Sequence, residues 1–229
     1  MTVGGSATDR IVALLRERHL HTGDPIPTEQ ELISELGISR NTMREAIREL
    51  RTLGIVDVRH GFGTFVGAAS LEAVSRTLVF RVVSSPDGEA AGLRELVDMR
   101  ELIETAMMPR LTGTLDDATL ERLRALCAQM ADPNLRVAAD REFHRILYAG
   151  QPNSLVREIV DVFWKAYHAV QSQLRELTSA ASQATAERHL AIVDALATGT
   201  PDRASAAMRE HFSDLHERLE HAAQHHLAG

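Results

Sequence analysis

Apolar side chains recur at Ile11, Leu14 and Leu15 within residues 8–20, the spacing of one helix face, and predict a first short helix. In PTEQELISELG, Thr28 and Glu31 stand three places apart ahead of Leu32, Ile33 and Leu36. That is a capping-box signature for a second helix, which Gly37 ends in the left-handed conformation. Ser39 can cap a third helix, with Ile38 and Met43 placed as a hydrophobic staple, so a turn of about three residues joins the two helices. Met43, Ala46, Ile47 and Leu50 form the buried stripe of that third helix and leave Arg40, Arg44, Arg48 and Arg51 on its opposite side. The pattern then switches to period two. GIVDVRHGFGTFV predicts strands at Ile55 to Arg59 and Thr64 to Val66 around the tip His60, Gly61, Phe62 and Gly63.

From residue 71 helical periodicity continues almost to the end, broken by SSPDGEAAG, TGT, DPN, GQPN and GTPD, and no run alternates like a strand. The expected fold class is mainly α: a winged helix-turn-helix over residues 1–66, a linker at 67–70, and an all-helical bundle over 71–229. A length of 229 residues is comfortable for two unequal domains. With 44% hydrophobic but only 4% aromatic residues, the composition suits Ala- and Leu-rich helices. The single cysteine, Cys127, excludes an internal disulfide framework, and no apolar run approaches the roughly 20 residues that span a bilayer. MTVGGSATDR lacks the apolar core of a signal peptide, so a cytoplasmic location without membrane partners is expected.

The net charge of -7 argues against indiscriminate nucleic-acid binding but leaves room for a local basic face. Residues 1–66 carry eight Arg and nine acids, and residues 67–229 carry seventeen basic and twenty-three acidic residues, so the acidity sits in the second part. The arginine stripe of the third helix has a bland explanation, a solvated face paired with Glu45 and Glu49. The wing that follows it favours another, because a second helix in the major groove with a wing along the backbone is a DNA-reading arrangement.

Those residues also carry a resemblance. IPTEQELISELGISRNTMREAIRELRTLGIVDVRHGFGTFV resembles the winged helix of GntR-type bacterial transcription regulators. The resemblance implies that Ser39, Arg40, Asn41, Thr42 and Arg44 face a double-stranded operator, with His60 and Gly61 in the wing; Arg48 joins them from the same stripe. Many relatives have Arg where this chain has Gln30, which removes one phosphate contact at the start of the second helix. A homodimer reading an inverted repeat is the expected assembly.

In the bundle, Asp140 and His144 fall between Val137 and Leu147 on one helix face, His189 heads the stripe of Ile192, Val193 and Leu196, and His211 lies between Met208 and Leu215. Ionisable groups on three helices thus point inward. A single inward histidine is more often a hydrogen-bonded core residue than a ligand, but several together can be satisfied by converging on a cation. Imidazole and carboxylate suit zinc, nickel, manganese or iron, and one Asp with three His leaves positions open for an oxygen ligand. His216 competes as a candidate; His19 and His21 read as surface residues, and His221, His225 and His226 as part of a fraying end. The bundle is similar to the sensing domain of the FadR branch of the same family, which implies a divalent metal, zinc foremost, on Asp140, His144, His189 and His211.

Within LRELVDMRELIETAM, Leu93, Leu96, Val97, Ile103 and Met107 define the inward stripe, and Arg100 falls inside it. A guanidinium facing a metal pocket suits a small organic acid as effector, whereas an exposed Arg100 to Glu104 pair is the plain alternative. Trp164 and Tyr167 read as core residues. The resulting reading is a ligand-responsive transcription regulator. Its rivals are a metal-dependent enzyme built on the bundle, against which stand the missing H-E-x-x-H and paired Glu-x-x-His patterns, and a bundle that only dimerises.

Overall fold

The computed structural model describes residues 5–171 and 182–226, and its chain divides into two compact units that meet between Ala73 and Val74. The first contains α1 (Ala7–Glu17), α2 (Glu29–Leu36), α3 (Arg40–Thr52), β1 (Val56–Arg59) and β2 (Gly63–Val66). The second contains α4 (Glu72–Val83), α5 (Glu89–Leu111), α6 (Asp117–Met130), α7 (Arg136–Ala149), α8 (Ser154–Gln171), α9 (Ser182–Ala197) and α10 (Pro201–His226), with no strand among the described residues. A winged helix-turn-helix followed by an all-helical domain is therefore the fold.

Each short helix of the first unit starts on a cap. Thr28 accepts from the Glu31 backbone while the Glu31 carboxylate accepts from Thr28, and Ser6 and Asp9 do the same at α1. Ser39 accepts from the Thr42 backbone, and Gly37 takes φ +60° at the end of α2. Ile11, Leu14, Leu32, Met43, Ile47, Leu50 and Val56 bury one small core, with Ile38 packed at its edge.

The hairpin pairs Val56 with Val66 through Arg59 with Gly63, so β1 begins one residue later and β2 one residue earlier than the alternation predicts. The sequence pattern misses a third partner. Gly23 donates to the Val66 carbonyl at 2.8 Å, Val66 donates to Asp24 at 2.8 Å, and Ile26 donates to Thr64 at 2.9 Å, which ties the hairpin to the segment before α2. Where the chain leaves β2, Gly67 crosses the Gly54–Ile55 backbone so closely that a β-carbon there would lie 2.2 Å from the Gly54 carbonyl oxygen.

In the second unit α5 packs along α10 and α8, α6 lies against α7 and α9, and α9 against α10. Their inward stripes form one core that includes Leu93, Val97, Met108, Leu123, Phe143, Leu147, Val193, Met208 and Phe212. Two sequence expectations fail here. Val137, assigned to the inward stripe of α7, is 49% exposed, and Ala139, Phe143, Ile146 and Leu147 carry that stripe instead. The breaker SSPDGEAAG ends early, since α5 already begins at Glu89 and Gly92 lies inside it. There the missing side chain lets α5 approach α4, because a β-carbon on Gly92 would stand 2.9 Å from the Val82 backbone.

Gly67→Ala should destabilise the first unit by about 1 to 3 kcal/mol, since its methyl must displace backbone rather than a flexible side chain. Urea unfolding read by circular dichroism checks this; unchanged stability would mean that the wing does not close over Gly54 as described.

Candidate functional site

Two surfaces carry chemistry. On α3, Arg40, Asn41, Thr42, Arg44 and Arg48 are all exposed, as are Ser39 before the helix and His60 and Gly61 in the wing. The carboxylates that could have neutralised the stripe are engaged unevenly. Glu45 binds Arg48 at 2.8 Å, whereas Glu49 accepts from Thr8 Oγ1 at 2.7 Å. Among the described residues Arg40 and Arg44 have no ion pair, so two guanidiniums at the start of α3 keep their donors for an external acceptor. The wing tip projects Phe62, 83% exposed, between Gly61 and Gly63 at φ +81° and +112°.

The second site lies inside the bundle. On α7, Asp140, His144 and Tyr148 follow one another at i, i+4 and i+8 and share one face. Asp140 Oδ1 stands 3.0 Å from His189 Nε2 on α9 and 3.3 Å from His144 Nε2, and its Oδ2 is 3.2 Å from His168 Nε2 on α8. One ring nitrogen each of His144, His189 and His211 lie within 4.8 Å of one another. Asp140, His189 and His211 also line one cavity of about 50 Å³, together with Arg100 and Tyr167.

Behind His144 sits a buried ion pair. Arg100 Nε donates to Glu104 Oε1 at 2.8 Å with the two side chains only 3% and 0% exposed. Glu104 Oε2 accepts from the Tyr148 hydroxyl at 2.8 Å and lies 3.0 Å from His144 Nδ1. The guanidinium also covers the rings of Tyr167 and Phe212 at 5.6 and 5.4 Å. The Arg100 to Glu104 pair, the plain alternative to an acid-binding Arg100, is thus formed, but in the core, where removing one partner strands the other.

Burial opposes ionisation throughout this cluster, and the neighbours decide the outcome. Burial would raise Glu104, yet Arg100 and His144 hold its carboxyl far below the usual range. Asp140 is likewise held low against burial by its contacts with His144, His168 and His189. Burial lowers His144, but the Glu104 and Asp140 carboxylates outweigh it and raise the ring to about 9. His211 goes the other way, because burial and then the His189 and His144 charges keep it neutral.

The donor set fits a divalent cation. His189 Nδ1 lies 2.8 Å from the Thr185 carbonyl, which can only accept, so that nitrogen carries a hydrogen and Nε2 is the ring atom turned toward Asp140. At 3.0 Å, Nε2 and the Asp140 oxygen share either a proton or a cation. Both ring nitrogens of His144 are buried without an aligned hydrogen bond, although carboxylate oxygens lie within 3.3 Å. The Asp140, His144, His189 and His211 donors resolve these conflicts if they share one ion.

His216, the competing candidate, instead sits 2.9 Å from Glu101 and is not in the cluster, while His21 and His221 are exposed. The side chains of His225 and His226 lie outside the described residues. Sequence reasoning named Glu104 only as a partner of Arg100 and missed its place beside His144, and it missed Tyr148 and His168 altogether. Glu104 and Tyr148 were visible as i+4 partners of Arg100 and His144, but their meeting across α5 and α7 is not a spacing signal. Trp164 and Tyr167 are buried as expected, and Tyr167 also lines the cavity.

Glu104→Ala should cost about 3 to 5 kcal/mol, because it leaves the Arg100 cation buried without its counter-charge, while Tyr148→Phe should cost only about 1 kcal/mol. Chemical denaturation of both variants checks the ranking, which a Glu104→Ala protein of wild-type stability would refute.

Comparison with known proteins bears on both units. Residues 5–66 match the family described as bacterial regulatory proteins, gntR family, and residues 95–214 match the FCD domain. The HTH-type transcriptional regulator YcbG of Bacillus subtilis is 28% identical over 223 residues, covering 95% of this chain and 90% of that protein. The HTH-type transcriptional repressor NanR of Cronobacter sakazakii is 27% identical over 223 residues, covering 90% of this chain and 81% of its own. A solved structure titled Streptococcus agalactiae GntR superposes with a TM-score of 0.62 at 24% identity, over 92% of this chain and 97% of that one. No helix among the described residues is long and apolar enough to cross a membrane.

Proposed function

Given that this chain belongs to the gntR family of bacterial regulatory proteins, a DNA-binding transcription regulator with an FCD domain rather than an enzyme, we propose that a small carboxylic acid, seated beside a divalent metal in the bundle, controls its grip on an operator. The single observation that carries this reading is the convergence of His144, His189 and His211 beside Asp140, where Asp140, His189 and His211 line a cavity that Arg100 also lines. Asp140, His144, His189 and His211 would hold the ion, as in the FadR branch. Zinc suits the three imidazoles best, ahead of nickel, manganese or iron. When bound, such an ion supplies a Lewis-acidic position for one carboxylate oxygen. Arg100, with Nε committed to Glu104, keeps its remaining guanidinium hydrogens for the other oxygen.

At the other unit, Ser39, Arg40, Asn41, Thr42, Arg44 and Arg48 read the major groove, and His60 and Gly61 meet the backbone or minor groove. A homodimer matches an inverted repeat in the cytoplasm, where the chromosome is. The relative named as a repressor favours a repressor that the acid releases from DNA. The acid can do so only by binding the DNA-competent and incompetent arrangements unequally, and DNA then alters acid affinity by the same factor.

Three measurements test this. Arg40→Ala or Arg44→Ala should lose about 1 to 3 kcal/mol of operator affinity and relax base preference in fluorescence anisotropy; equal binding of operator and random duplex by the wild type at physiological salt would overturn the DNA assignment. Protein purified without chelator should carry about one divalent ion per chain by elemental analysis, and His189→Ala or His211→Ala should lose it. A metal-free result after zinc, nickel and manganese supplementation defeats the ligand set. Arg100→Lys, which keeps a cation opposite Glu104 but not the fork, should retain metal and operator binding yet lose most of the response to the acid that best stabilises the protein in a thermal screen of carboxylates. An undiminished response would locate the effector elsewhere.

A further inference from the structure

Tyr167 lines the cavity that also holds Arg100, Asp140, His168, His189 and His211, and its side chain is only 3% exposed. Its hydroxyl is buried, and it has no hydrogen-bond partner among the described residues. Polar neighbours on the same wall have theirs: Arg100 binds Glu104, and His168 and His189 lie within hydrogen-bond distance of Asp140. A buried hydroxyl left unpaired is destabilising, and native folds rarely keep one without a reason. Its ring is flanked on two sides, by the Arg100 guanidinium at 5.6 Å and by His168 edge-on at 5.0 Å.

We propose that the Tyr167 hydroxyl donates a hydrogen bond to an oxygen that the effector carries in addition to its carboxylate, and so selects short, oxygen-substituted acids over unsubstituted ones. The inference rests on the reading of this cavity as the acid site. Burial pushes the phenol up to about 12, so it remains a donor and seeks an acceptor such as a hydroxyl or keto oxygen. The cavity, about 50 Å³, has room for a few heavy atoms, and Val137 and Leu215 are the aliphatic side chains on its wall. A long aliphatic acid has no place there, whereas a compact acid with polar oxygens on adjacent carbons reaches Arg100 and Tyr167 together. A site that hydrogen-bonds a substituent rejects the analogue lacking it, because its own polar group is then stranded.

The test uses full-length, metal-replete protein and two matched pairs of probes, acetate with glycolate and propionate with racemic lactate, titrated by calorimetry into wild type and Tyr167→Phe. The wild type should prefer the hydroxylated member of each pair. Tyr167→Phe should lose about tenfold of that preference, by weakening the hydroxy acids and leaving acetate and propionate where they were. Its metal content and its operator affinity without acid should equal those of the wild type, which a merely structural tyrosine would not preserve. Equal preference in both proteins, or equal weakening of both members of a pair, would overturn the role of Tyr167 while leaving the acid site intact. If no acid in the panel binds the wild type, the acid-site reading fails and this inference goes with it.

Discussion

The interior of the second unit depends on buried carboxylates that cannot be left alone. Asp140 and Glu104 lie inside the helical bundle, where an unpaired negative charge would be prohibitively costly, and each is met by polar groups from its own helix and from others. Asp140 gathers His144, His168 and His189 from α7, α8 and α9, while Glu104 gathers Arg100 from its own helix and Tyr148 and His144 from α7. His144 touches both carboxylates and joins the two clusters. Apolar packing brings these helices together, in rotations that also turn their polar groups toward the two carboxylates.

On the reading proposed above, that arrangement gives a helical bundle a way to respond to a ligand. A cluster whose charges are balanced only jointly is sensitive to any newcomer: an added cation changes what the histidines must do, and an added anion competes for the free hydrogens of Arg100. An apolar core of the same volume would be at least as stable and would have nothing with which to sense. On the proposed reading, the polar interior serves recognition more than stability.

The first unit solves a different problem. Its core is small, so local signals carry much of the specification: capping boxes at Ser6 and Thr28, the cap at Ser39 and a left-handed glycine at Gly37. These position α3 so that Met43, Ile47 and Leu50 are spent on the core, and Arg40 and Arg44 have no ion pair among the described residues. The exposure of two unpaired guanidiniums on a chain with net charge -7 is a local departure from the general acidity, and it is where phosphate and base contacts are to be sought.

Much of this was determined by the sequence alone. Period 3.6 and period 2 separate helices from wing, caps mark the helix starts, and i,i+4 spacing puts Asp140 with His144 and Arg100 with Glu104, because these depend only on residues close along the chain. What depends on contacts between distant segments was decided by the tertiary structure. The Gly23–Ile26 segment joins the hairpin through backbone hydrogen bonds that leave no side-chain pattern. Val137 faces outward although its helical period allows it inward, since which part of an apolar arc is covered depends on where the neighbouring helices pass. The Arg100 to Glu104 pair is buried instead of solvated, His168 rather than His216 reaches Asp140, and Tyr167 ends with its hydroxyl unpaired at the cavity. Spacing fixes a side chain's direction from its own helix axis, and only the packing of α5, α7, α8, α9 and α10 fixes what it meets there.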